Sequence, residues 1–86
     1  MTWHLVVARS AQKELERAPA RDRARLLHAL QQMGENPFSG DVVNLKGRGP
    51  LDFRRRVGTW RILFTLERET QTVQVSAILR RTSTTY

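Results

Sequence analysis

Apolar positions change their spacing twice along this chain, and the changes mark its elements. Between Thr2 and Val7 they alternate, with Trp3, Leu5 and Val7 on one side and Thr2, His4 and Val6 on the other, which predicts a first strand. Ala11, Leu15 and Ala18 then follow i, i+4, i+7, the spacing of a short amphipathic helix capped by Ser10 and ending near Pro19. Pro19 fits equally well in the first turn of the segment after it. From Ala20 to Gly34 a stripe of Leu26, Leu27, Leu30 and Met33 leaves Arg21, Asp22, Arg23 and Arg25 outside, the pattern of a longer helix. GENPFSGD, Gly34 to Asp41, is dense in turn formers and ends the helical part.

Period two returns after that loop. Val42 to Leu45 reads as a brief extended segment, followed by a glycine-rich loop that carries Lys46 and Arg48 and ends at Pro50. FRRRVGTWRILF, Phe53 to Phe64, interleaves apolar and basic residues around Gly58-Thr59, a two-residue link of the kind that closes a tight hairpin. Tight register pairs Val57 with Trp60, Arg56 with Arg61, Arg55 with Ile62, Arg54 with Leu63 and Phe53 with Phe64. After a turn at Arg68 to Gln71, alternation resumes through Val73 to Arg80, placing Val73, Val75, Ala77 and Leu79 inward and Gln74, Ser76, Ile78 and Arg80 outward.

The expected fold is α+β, in the order β-α-α-β-β-β, with a helical hairpin packed on one face of a twisted, mostly antiparallel sheet. The other face is left free. Arg54, Arg56, Arg61 and Arg80 are expected on it, with Tyr86 nearby from the tail RRTSTTY. Arg56 directly opposite Arg61 is a destabilising pair. A bound anion would explain it, and so would a solvated face whose arginines splay into water.

Composition narrows the partners. Eighty-six residues suit a single domain, 1–86, with one modest core. Fifteen Lys+Arg against eight Asp+Glu give a net charge of +7, of which residues 42–86 hold +6. Charge of this density points to nucleic acid, an anionic membrane or an acidic protein. No basic amphipathic helix is visible, which argues against the membrane. The absence of cysteine excludes disulfides and thiolate metal sites. Leu5 to Ala8 is too short for a signal-peptide core or a membrane span, so a soluble, cytoplasmic protein is expected.

Arginine's planar fork suits phosphate oxygens, and a cluster of four can hold a phosphodiester and stabilise the charge that develops on it. With a pKa above about 12, however, arginine is a poor general base. His4 and His28 are expected in structural positions, and the scattered acids show neither metal-ligand spacing nor a paired-carboxylate arrangement, so no metal and no cofactor are expected. Tyr86 remains. Nearby arginines would lower its phenol from a pKa near about 10 and let it act on a ribose 2′-hydroxyl. It could also stack on a base, or simply end a plain tail.

The order strand-helix-helix-sheet, the LKG at Leu45 to Gly47, the hairpin FRRRVGTWRILF and the arginine-rich end at Tyr86 together resemble the RelE/ParE superfamily of bacterial type II toxins. The likeness spans nearly the whole chain. It implies a ribosome-dependent endoribonuclease that cuts mRNA in the A site without a metal and is neutralised by an acidic cognate antitoxin. On that resemblance Arg54 and Arg56 match the two basic residues before the turn, Arg61 matches the arginine of the return strand, Arg80 or Arg81 the basic residue near the C-terminus, and Tyr86 the tyrosine of the terminal segment. Alternation favours Arg80 over Arg81 for the active face. Lys46, Arg48, Arg55 and Arg81 are expected to add affinity for rRNA.

Two positions depart from the pattern. Arg54 and Arg56 stand where the best-studied RelE pattern has lysines, which can release a proton as arginine cannot. Arg55 lies on the expected core face, usually aliphatic in the family. Either its stem snorkels past Ile62, or a bulge or longer turn shifts the register. Two other functions fit the same features: a ParE-like inhibitor of DNA gyrase, and a non-catalytic nucleic-acid-binding module.

Overall fold

The computed structural model describes residues 2–45, 49 and 51–80. Its elements run β1 (His4–Val7), α1 (Arg9–Arg17), α2 (Ala20–Glu35), β2 (Asp41–Asn44), β3 (Asp52–Val57), β4 (Trp60–Glu67) and β5 (Thr72–Arg80). The strands form one sheet in the order β1-β5-β4-β3-β2. β1 lies parallel to β5 and the other pairs are antiparallel. This is the expected α+β architecture, extended by a genuine edge strand where the sequence suggested only a brief extended segment.

The helices start and stop for local reasons. As β1 leaves the sheet, the Ala8 amide donates to the Val75 carbonyl (2.9 Å), and the Ala8 carbonyl accepts from the Gln12 amide (2.9 Å), closing the first turn of α1. Gln12 Nε2 also donates to the Val7 carbonyl (3.0 Å). Ala8 is therefore the N-cap, and Ser10, expected in that role, lies inside the helix. At the other end Ala18 is extended (ψ 144°), as a residue before proline must be. Pro19 is the N-cap of α2 and accepts from the Arg23 amide (2.8 Å), so two residues make the whole joint.

One core fills the space between the helices and the sheet. Leu26, Ala29, Leu30 and Met33 of α2 pack with Ala11 and Ala18 against Trp60, Ile62, Phe64 and Leu66 of β4 and Val73, Val75 and Ile78 of β5. Each large apolar side chain fully buried in this way is worth about 1.5–3 kcal/mol. Leu27 was expected in the α2 stripe but is 45% exposed, because the stripe is centred on Leu26, Leu30 and Met33 and Ala29 completes it.

The β3–β4 register is the expected one, pair for pair, and adds Asp52 opposite Thr65. Gly58 has φ +60°, which a type II′ turn requires at its first central position and which glycine adopts without steric cost. β4 alternates without a break, burying Trp60, Ile62, Phe64 and Leu66.

β5 does not alternate throughout. Leu63 pairs with Ala77 but Phe64 pairs with Val75, so Ser76 is an extra residue with no cross-strand partner, a β-bulge. The Ser76 hydroxyl donates to the Leu63 carbonyl at 3.3 Å. Beyond the bulge the faces exchange: Ile78, expected outward, is 1% exposed, and Leu79, expected inward, is 42% exposed.

Candidate functional site

The free face of the sheet carries its arginines in two adjoining rows. Asp41, Arg56, Arg61 and Leu79 stand side by side on β2, β3, β4 and β5, and Val43, Arg54, Leu63 and Ala77 form the next row. Arg56 is exposed; Arg54 and Arg61 are half-buried. The Nε groups of Arg54 and Arg61 are buried and have no hydrogen-bond partner among the described residues. No carboxylate of those residues forms an ion pair with Arg54, Arg56 or Arg61; the pairs present are Arg17 with Glu14 (3.4 Å) and Arg80 with Asp22 (4.0 Å). Three guanidinium groups are thus held together by strand pairing with Asp41 alongside Arg56 but no ion pair to any of them among the described residues, an arrangement that suits an anion.

Arg80 is not part of it. The bulge carries it to the helix side, opposite Trp60, and its guanidinium carbon lies 5.5 Å from the centre of the indole ring. The expectation that alternation places Arg80 beside Arg61 fails for the same reason that Ile78 and Leu79 exchange faces: one unpaired residue reverses every side chain after it.

Arg55 corrects a second expectation. It is on the core face, opposite Ile62, and only 7% exposed, so it presents no free surface to rRNA. Neither of the two expected explanations for its place in a core strand holds: the register is unshifted, and the guanidinium does not snorkel to water but is buried on neighbouring acceptors. Nη1 donates to the Ala29 carbonyl and to Ser39 Oγ, both at 3.2 Å, and Nη2 to Gln32 Oε1 at 2.7 Å. Desolvation pushes its pKa below the ordinary arginine value. Gly40 (φ +78°) packs flat against the guanidinium, where a Cβ would stand 2.8 Å from Nη2.

Lys46, Arg48, Arg81 and Tyr86 lie outside the described residues. His4 sits on β1 at the far edge, opposite Thr72, and His28 is exposed on α2, so neither adjoins the arginine rows. Asp41 is the residue the sequence did not single out: it was read as the end of a loop, and only the length of β2 brings it opposite Arg56. Among the described residues no group of three His, Cys, Asp or Glu could hold a metal ion, and no helix is long and apolar enough to cross a membrane.

The family model for the ParE toxin of type II toxin–antitoxin systems matches residues 5–84. The chain belongs to that family, within the RelE/ParE superfamily. Solved members share its fold. The RelE–RelB complex of Pyrococcus horikoshii is 22% identical with a TM-score of 0.82, covering 96% of this chain and 99% of that one. The isolated RelE toxin of E. coli is 18% identical (TM-score 0.80, covering 96% and 88%). The YoeB/ParE toxin of Agrobacterium tumefaciens is 21% identical (TM-score 0.76, covering 92% and 99%). No curated protein sequence matches the chain. The arginine rows and the buried Arg55 are therefore features of a type II toxin of the RelE/ParE/YoeB fold.

Proposed function

We propose that this toxin is a metal-independent, ribosome-dependent mRNA endoribonuclease that cuts in the A site. The observation that carries the reading is the Arg54, Arg56 and Arg61 cluster, free of carboxylate partners among the described residues and built on rigid paired strands. A phosphodiester satisfies all three guanidinium groups at once. In this reading the ribose 2′-hydroxyl attacks the adjacent phosphate, leaving a 2′,3′-cyclic phosphate and a free 5′-hydroxyl. Arg54 and Arg56 position the phosphate, Arg61 stabilises its developing negative charge, Tyr86 orients the 2′-hydroxyl or takes its proton as base, and one of the arginines relays a proton to the departing 5′-oxygen. Since Arg80 is on the other side of the sheet, Arg81 takes the role of the C-terminal basic residue, with Lys46 and Arg48 adding affinity for rRNA. The ribosome supplies the substrate geometry that so small a site does not.

An antitoxin partner is supported by the solved RelE–RelB complex of P. horikoshii, and an acidic one is the natural cover for the arginine face. Its complementary charge would steer association and blank the arginines.

A second reading, inhibition of DNA gyrase, is favoured by one observation. None of the described residues beside Arg54, Arg56 and Arg61 is a histidine, and both family lysines are arginines, so proton transfer falls wholly on the terminal segment. Primer extension on a defined mRNA with translating ribosomes separates the two readings, run beside naked mRNA and Arg61→Ala. New 5′ ends at A-site codons, seen only with ribosomes and lost in the variant, support the nuclease. Intact mRNA with a folded protein, together with loss of supercoiling by gyrase, supports the other.

A further inference from the structure

A second concentration of positive charge lies on the helix side of the sheet, and the geometry points to it as a binding site for a backbone phosphate of single-stranded RNA. A cleft of about 270 Å³ opens between the first turns of α2 and the tip of the β3–β4 hairpin, lined by Arg21, Asp22, Arg25, Thr59, Trp60 and Arg80. Arg21 and Arg25 are one turn apart on α2, and like charges at that spacing repel unless an anion lies between them. Arg80 joins them from β5, its side chain 55% exposed and tethered by the Trp60 ring and a 4.0 Å approach to Asp22. That distance is too long for a hydrogen bond, so the tether orients the guanidinium without using its donors. Among the described lining residues Asp22 is the one acidic side chain, set against three guanidinium ions.

Two further observations point to a ligand. Trp60 is only 6% exposed, lines the cleft, and its indole N–H is buried with no partner among the described residues. Pro19, the N-cap of α2, provides no side-chain hydrogen bond to the amides of the first turn, so Asp22 is the one acidic side chain there to set against the positive end of the helix dipole beside the arginines.

Phosphate is favoured over a protein carboxylate by where the cleft lies. Val57 and Trp60, in its wall, are the chain neighbours of Arg56 and Arg61, the last pair of the free-face rows. Positive charge therefore runs from Arg54, Arg56 and Arg61 around the hairpin tip to Arg80, Arg25 and Arg21. A flexible strand with a charge on every residue can follow that path; an isolated carboxylate uses one end of it. The inference deepens the RNA-directed function and rests on it for the identity of the polyanion, but the binding needs neither ribosomes nor cleavage.

Trp60 is its own reporter once Trp3 is replaced by Phe. The Trp3→Phe protein is titrated with a short single-stranded RNA and, separately, with a poly-glutamate peptide of equal charge, each at several salt concentrations. The same titrations follow in Trp3→Phe carrying Arg21→Gln and Arg25→Gln, with circular dichroism melting to confirm the fold. RNA should change Trp60 emission. In the double-Gln variant affinity should fall about tenfold or more, and the log–log salt slope should shrink by about two. Equal RNA affinity and slope in the variant, an unresponsive Trp60, or a peptide that binds as tightly as RNA would each overturn the proposal. Arg25-dependent RNA binding without ribosomal cleavage would retain this site and remove the nuclease reading; ribosomal cleavage with RNA binding indifferent to Arg21 and Arg25 would do the reverse.

Discussion

Arg56 and Arg61 face each other directly across the β3–β4 hairpin, one residue from its turn, and neither has an ion-pair partner among the described residues. Such a pair weakens the fold it belongs to. Directly opposed like charges cost roughly 0.2–1 kcal/mol, and half-burial of Arg61 limits how far it can splay. Arg61→Gln should therefore raise unfolding stability by a few tenths to about 1 kcal/mol, read from the urea midpoint, while abolishing ribosome-dependent cleavage. A variant both less stable and inactive would mean that Arg61 serves the fold. A gain in stability with full activity would remove it from the site.

Arg55 makes a contrasting prediction, because both its terminal nitrogens are hydrogen-bonded by neighbours, although its buried Nε has no partner among the described residues. Truncation to Ala removes three hydrogen bonds and leaves a cavity behind Gly40, at a cost of about 2–4 kcal/mol. Arg55→Met keeps the volume and drops a buried charge held only by neutral acceptors, so it should match or exceed the parent within about 1 kcal/mol. Neither change should alter RNA affinity measured on folded protein. Gly40→Ala should cost about 1–3 kcal/mol in the parent, from φ +78° and contact with the guanidinium, and less beside Arg55→Met, where the contact is softer.

The bulge at Ser76 can be tested by stability alone. Ile78→Ala should cost about 2–5 kcal/mol and Leu79→Ala less than about 1, because the first side chain is in the core and the second half in water. Unbroken alternation along β5 predicts the opposite order. Chemical denaturation of the two variants decides between them, and equal losses would mean that β5 is not held in one register.

That pair also shows where the sequence was legible and where it was not. The β3–β4 register could be read in full because Gly58 fixes the turn and alternation on both strands counts outward from it. Nothing comparable marks Ser76: a bulge is one extra residue, and VQVSAILR alternates acceptably with or without it. The error then propagated to Arg80 and so to the composition of the site. Arg55 was legible as an anomaly but not as a solution, since its acceptors are supplied by Ala29, Gln32 and Ser39, distant in sequence. The cleft at Arg21 and Arg25 was hidden for the same reason, because those residues read as the solvated side of an amphipathic helix until the hairpin tip is set beside them.

Reassignment of Arg80 leads to a prediction that separates the two C-terminal arginines. Arg80 is bound up with Trp60 and Asp22 on the helix side, whereas the proposed nuclease calls for a further basic residue beside Arg61 on the free face. If Arg81 fills that place, Arg81→Ala should reduce single-turnover cleavage on ribosomes by about 100-fold or more, the scale of one preorganised charge at a developing oxyanion. Arg80→Ala should act mainly on affinity, raising the toxin concentration needed for half-maximal cleavage about tenfold while leaving the saturated rate within a factor of about three. Melting temperatures control for folding, because the loss of the Arg80 contact with Trp60 is worth only about 0.5–1 kcal/mol at an exposed site. A collapse of the saturated rate in Arg80→Ala with Arg81→Ala unaffected would return Arg80 to the chemistry. It would also require β5 to present its end to the free face when RNA is bound.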